Sequence, residues 1–184
     1  MSSARFAVAC FAALLACGPA APPALAQTPE FDFAPLLALL EPERQECLEN
    51  EGELLAPDWA FIRHTDFNGD GILDALFDGE YLECAPMAAF HKGTGGSPRI
   101  LFVSTGDPEA PWSRHDFQAH GHAIVSAPGG GAIPVLLLSL HGSYCDSYGA
   151  AACVGAYVWS ERYDEAKGRL EHGFLSVVPF QEED

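Results

Sequence analysis

The stretch Trp59-Ala60-Phe61-Ile62-Arg63-His64-Thr65-Asp66-Phe67-Asn68-Gly69-Asp70-Gly71-Ile72-Leu73-Asp74-Ala75-Leu76-Phe77 decides the fold class. Its opening residues alternate. Trp59, Phe61 and Arg63 fall on one side of an extended chain and Ala60 and Ile62 on the other, the two-residue period of a strand. Ile72 to Phe77 reads as the strand that returns. Between them, Asn68-Gly69-Asp70-Gly71 holds the residue types that turn a chain most sharply. Strand, loop and strand in sequence point to β structure in the middle of the chain.

The loop also carries chemistry. Asp66-Phe67-Asn68-Gly69-Asp70-Gly71-Ile72-Leu73-Asp74 follows the pattern D-x-[DN]-x-[DN]-G-x-x-D. Calcium takes six to eight hard oxygen ligands in a loose shell. Asp66, Asn68 and Asp70 alternate, so three side-chain oxygens can point inward. Gly71 permits the sharp turn, the Ile72 carbonyl faces the ion, and Asp74 closes the ring directly or through water. The Ile72 side chain is expected to anchor the loop to the core. A plain hairpin turn needs only Asn68 to Gly71; Asp66 and Asp74 would then crowd negative charge with no cation to offset it. Ca²⁺ is therefore the expected cofactor, held by Asp66, Asn68, Asp70, Ile72 and Asp74. An EF-hand is excluded, because its twelfth position must be a bidentate Glu and Phe77 stands there.

This strand–loop–strand spacing resembles the calcium loops of FG-GAP/VCBS-type repeats in secreted and cell-surface β proteins. A single copy is present, so the resemblance implies a local site and little about the global fold. More loosely, the chain resembles small periplasmic and secreted proteobacterial proteins that pair one such loop with a downstream segment, here His141-Gly142-Ser143-Tyr144-Cys145, Cys153 and Trp159. Those proteins commonly carry a further Cys in a Gly-rich stretch after the loop. Lys92-Gly93-Thr94-Gly95-Gly96 has none, so no third disulfide is implied.

Outward from the loop, residues 31–49 read as helical. Phe33, Leu36, Leu37 and Leu40 recur at helical spacing, and Pro42 breaks or restarts the helix. Downstream the chain reads as strands over residues 57–180: Arg99 to Ser104, Trp112 to Ala119, His122 to Ala127, Ala132 to His141, Val154 to Ser160 and Leu170 to Phe180. Thr105-Gly106-Asp107-Pro108, Pro128-Gly129-Gly130-Gly131 and Ala166-Lys167-Gly168 supply turns. Val135-Leu136-Leu137-Leu138 is a continuous apolar run, the pattern of a central strand buried on both faces. The expected fold is mainly β: an antiparallel sheet or sandwich of short strands with an N-terminal amphipathic helix, in one domain over residues 27–184.

The first 26 residues read as a signal peptide, with Arg5, an apolar run from Phe6 to Ala16, and small residues at Ala24 and Ala26 before the cut. The run is shorter than the roughly 20 residues that span a bilayer, and no later segment approaches that length, so no transmembrane segment is expected. Leu14-Leu15-Ala16-Cys17 offers a second reading, a lipoprotein anchored to the outer membrane through Cys17, although Leu15 fits that pattern less well. Cleavage after Ala26 leaves Cys47, Cys84, Cys145 and Cys153. An even count in an exported chain points to disulfides with three possible pairings. Cys145–Cys153 closes a short Gly/Ala-rich loop and Cys47–Cys84 would fasten the helical segment, so this pairing is expected.

With 26 Asp and Glu against 9 Lys and Arg, the net charge is −17. Such a field repels nucleic acid and favours cations. Reactive constellations are thin. His115, His120 and His122 could supply three zinc ligands to a metal-dependent hydrolase. His141 with Cys145, Ser143 or Ser147 lacks the G-x-S-x-G frame of a nucleophile elbow, and Cys145 is expected to be oxidised. Gly93 to Ser97 lacks the Lys of a phosphate cradle. Trp112, Trp159, Tyr144 and Tyr148 could line a groove. The leading expectation is a non-enzymatic, calcium-binding, disulfide-stabilised module of the periplasm or cell surface, with a protein or glycan ligand around Tyr144 to Tyr148.

Overall fold

A computed structural model describes residues 31–126, 133–149, 151, 153–164 and 169–177. The expected signal peptide over residues 1–26, Cys17, the expected turns at 128–131 and 166–168, and the chain beyond 177 lie outside the described residues. The described residues from Asp32 onward belong to one compact unit.

Helix α1 spans Ala34–Ala38 and α2 spans Glu41–Glu49. Each has a proline in its first turn, where a missing N–H costs nothing and the fixed φ suits the helix. Pro42 thus restarts the helix, and Leu36 and Leu40 of the apolar stripe are fully buried.

The strands make a mainly β, wholly antiparallel fold. β1 (Glu53–Leu55) pairs with β4 (Glu83–Ala85) as a small ribbon. β2 (Phe61–Thr65), β3 (Asp74–Asp78), β5 (Ser97–Ser104) and β6 (Trp112–Ala119) form one four-stranded sheet in the order β2-β3-β5-β6. β7 (Gly121–Val125), β8 (Val135–Leu140), β9 (Cys153–Asp164) and β10 (Arg169–Val177) form a second, ordered β10-β9-β8-β7. The chain passes between the sheets at His120. Leu76, Leu101, Val103 and Ala119 of the first sheet pack against Leu136, Leu138, Leu140 and Cys153 of the second, which makes a sandwich. Alternation along each strand produces that inner layer. On the outer face of the first sheet, Phe61 meets Phe33, Phe77 and Phe102 at centroid distances of 5.2, 4.7 and 6.1 Å, so the helical segment covers it.

Three local expectations are corrected. The strand buried on both faces is β5, whose eight residues are all buried. β8 is central in its sheet, yet only Leu136, Leu138 and Leu140 are buried, and Val135 and Leu137 are half-exposed. Layer order decides this, since helices cover the outer face of the first sheet. Trp59 is not in a strand; it sits in a short 3-10 turn, Asp58–Ala60, and is 67% exposed. The loop is anchored by Phe67, which is buried and meets Phe174 edge-on at 5.5 Å, whereas Ile72 is 45% exposed.

β5 also buries a charge. Arg99 is 1% exposed, 2.8 Å from the Asp78 carboxylate, and donates to Ser97 Oγ and the Pro98 carbonyl. A buried guanidinium is tolerated only with such partners.

Candidate metal loop and adjoining cleft

The Asp66–Asp74 loop is built by its own side chains. Asp66 accepts the Gly69 N–H at 2.6 Å and the Gly71 N–H at 2.8 Å. Asn68 Oδ1 accepts the Asp70 N–H at 3.1 Å, and Asp70 Oδ1 accepts the Ile72 N–H at 2.7 Å. These are Asx turns in series, in which each short acid or amide holds the backbone two to five residues on. Gly69 and Gly71 adopt φ of +79° and +87°, a region costly for residues with a Cβ.

Asp74 is the root of the loop. It is 2% exposed, and its oxygens accept the Phe67 N–H at 2.7 Å, the Ser104 N–H at 2.9 Å and the Ser104 hydroxyl at 3.1 Å. Ser104 Oγ also lies 2.6 Å from Asp70 Oδ2, and Asn68 Nδ2 donates to the Ser104 carbonyl at 2.7 Å. The end of β5 therefore stitches the loop down. Burial pushes the Asp74 carboxyl up from its ordinary value and the Asp66 charge adds to this, while the Ser104 and Phe67 hydrogen bonds oppose both. At Asp70 desolvation also acts upward, but the hydrogen bonds from Ser104, Ile72 and Asn68 together outweigh it and hold the carboxyl low. Arg63 donates to the Leu73 carbonyl at 2.6 Å beside this cluster.

Among the described residues, no group of three or more His, Cys, Asp or Glu side chains is gathered to hold a metal ion. For the histidines this corrects the zinc expectation. His115 is half-buried between Trp159 and Phe174, with ring centroids 5.3 and 5.6 Å away, and lies 3.1 Å from Ser113 Oγ. His122 lies 3.9 Å from Asp78. His120 is exposed at the crossover and shares a surface pocket with Ser139 and His141. Strand alternation, which would align them, ends where the chain changes sheets. In the loop, the same finding reflects carboxylates turned toward amides, with Asp74 set behind Asp66 and Asp70.

Cys47 is bonded to Cys84 and Cys145 to Cys153, with Cα separations of 5.7 and 6.2 Å. The first joins α2 to the β1–β4 ribbon, and Gly52 sits so close that an added Cβ would lie 2.5 Å from Cys84 Sγ. With its sulfur bonded, Cys145 offers no thiolate to His141. His141 Nδ1 instead meets Ser143 Oγ at 2.7 Å in an exposed turn, its other ring nitrogen pressed against Gly149. Tyr144 and Tyr148 stand 63% and 75% exposed on the disulfide loop.

Beside the Asp66–Asp74 loop lies a feature the sequence reading missed. A cleft of about 450 Å³ opens between the sheets, lined by Asn68, Asp70 and Ser104 on one side and Trp159, Glu161 and His172 on the other. No single segment carries it. Only the register of β9 with β10, which sets Glu161 opposite His172, brings its far wall together.

No family model matches the chain, no curated protein matches its sequence, and no solved structure matches it. Among the described residues, no helix is long and apolar enough to cross a membrane.

Proposed function

We propose that this chain is an exported, non-enzymatic β-sandwich module of the cell envelope whose Asp66–Asp74 loop binds Ca²⁺. What is directly visible is a β-rich domain with two disulfides. The reading rests on one observation: a loop rich in hard oxygens, wound around two left-handed glycines and pinned at its root to Ser104. The donor set fits. A carboxylate offers about four lone-pair sites, and Asp66 spends two on Gly69 and Gly71. Asp66, Asn68, Asp70 and the Ile72 carbonyl would hold the ion, with Asp74 behind them directly or through water. Bound calcium would neutralise the crowded acids and stiffen the loop.

Export is supported by the residues of the leader pattern and by the disulfides, since such bonds persist in oxidising compartments. An affinity in the range of ~10⁻⁴–10⁻³ M suits an extracellular module. The melting temperature should rise with millimolar Ca²⁺ and fall with chelator, while Asp70→Ala responds to neither. A wild-type protein indifferent to Ca²⁺ would remove the site.

A further inference from the structure

The cleft beside the metal loop has a structural cause. Among the described residues β8 begins at Val135, opposite Val158 of β9, and the β9–β10 hairpin runs on past that pair. Trp159 and Glu161 share one face of that overhang, and His172 stands across from Glu161 with Nδ1 3.4 Å from its carboxylate. Trp159 packs on the core rim, its ring at 15° to that of His172 and 6.4 Å away. Asn68, Asp70 and Ser104 face this wall from the other sheet. The volume of about 450 Å³ lies in the range of small-ligand sites.

The charges select the ligand. Each wall contributes a carboxylate, Asp70 from the loop and Glu161 from the hairpin, and among the described residues neither Lys nor Arg lines the cavity. Two like charges lining one cleft repel each other, and a cation between them relieves that cost. Anionic ligands meet a chain of net charge −17. A neutral saccharide could use the indole and the hydroxyl and amide groups but gains nothing from two opposed carboxylates. An organic cation uses every part: its charge pairs with the carboxylates, and its methylenes lie against Trp159, whose ring also attracts positive charge.

The geometry points to a binding site for an organic ammonium or guanidinium group, assembled from Asp70 on one wall and Glu161 and Trp159 on the other. Asp70 is shared with the proposed calcium ligands, whereas Glu161 and Trp159 belong to the second sheet, so the contacts of the far wall do not rest on the calcium reading. The group can belong to a free polyamine or to the Lys and Arg side chains of a basic segment.

Calorimetric titration of the purified protein at low salt tests it, with spermidine in one arm and a short Arg/Lys peptide in the other. Saturable one-to-one binding is expected in at least one arm. Binding of spermidine alone assigns the site to free polyamines; tighter binding of the peptide assigns it to a basic segment. Glu161→Gln, an exposed and fold-neutral change, should weaken binding about tenfold, and Trp159→Leu by a similar factor. Glu53→Gln on β1 should leave it unchanged, which separates the cleft from diffuse attraction to an acidic surface. Absence of saturable binding in both arms overturns the inference, as does binding that Glu161→Gln leaves intact. Calcium is read separately, because Glu161→Gln should keep the Ca²⁺-induced thermal shift.

Discussion

At the residue scale, burial sets the behaviour of the two histidines that face the interior. His115 is held below its ordinary value of 6.5 by burial, with Asp116 pulling weakly the other way. His122 moves in the same direction, again through burial, with Asp78 opposing and Arg99 and His64 assisting. A depressed folded value means that the unfolded chain takes up the proton first. Stability from these residues is therefore complete above pH 6.5 and is lost as the pH falls through 6.5 toward the folded values. The double variant His115→Phe/His122→Asn should flatten the decline in melting temperature over that window. An unchanged slope would place the acid sensitivity elsewhere. The sequence shows seven histidines but not which are inside. Arg99 is a sharper case: it interrupts an otherwise apolar strand, and only the packing reveals that Asp78 from β3 makes its burial tolerable.

At the element scale, local patterns were readable and non-local ones were not. The Asp66–Asp74 loop is legible because its hydrogen bonds run between near neighbours, so spacing alone encodes them. Ser104 is not. It reaches Asp70 and Asp74 only because β5 pairs with β3 in the register that sets Ala75 against Phe102. Nor could Val135 to Leu138 announce how its two faces would be covered, since that depends on which sheet receives the helices. The disulfides belong to this scale. Cys47–Cys84 spans 37 residues and Cys145–Cys153 spans 8. Loop-closure entropy gives about 3–4 kcal/mol for the first and about 2–3 kcal/mol for the second. In urea unfolding, Cys47→Ala/Cys84→Ala should lose more stability than Cys145→Ala/Cys153→Ala. The reverse order would mean that α2 and the ribbon contribute little to the cooperative unit.

At the scale of the whole molecule, two four-stranded sheets and a helical cover sit beneath a strongly acidic surface. The sandwich was legible as a class from short alternating strands and frequent turns, while strand order and the cleft needed the pairing itself. The proposed export would join the parts, because it would supply oxidising conditions for the sulfur bonds and abundant free Ca²⁺ for the loop. N-terminal analysis of protein recovered from its native host should begin at Gln27. A lipid-modified Cys17 at the terminus would instead make it an anchored module, and a retained Met1 would contradict export altogether.

The central claim is that a single ion occupies the loop, and residue-resolved NMR during a Ca²⁺ titration tests it most directly. The account predicts saturable shifts concentrated at the Gly69, Gly71 and Ile72 amides and spreading to Ser104, with one ion bound per chain. Shifts scattered over the acidic surface without saturation, or a loop that does not respond, would contradict it.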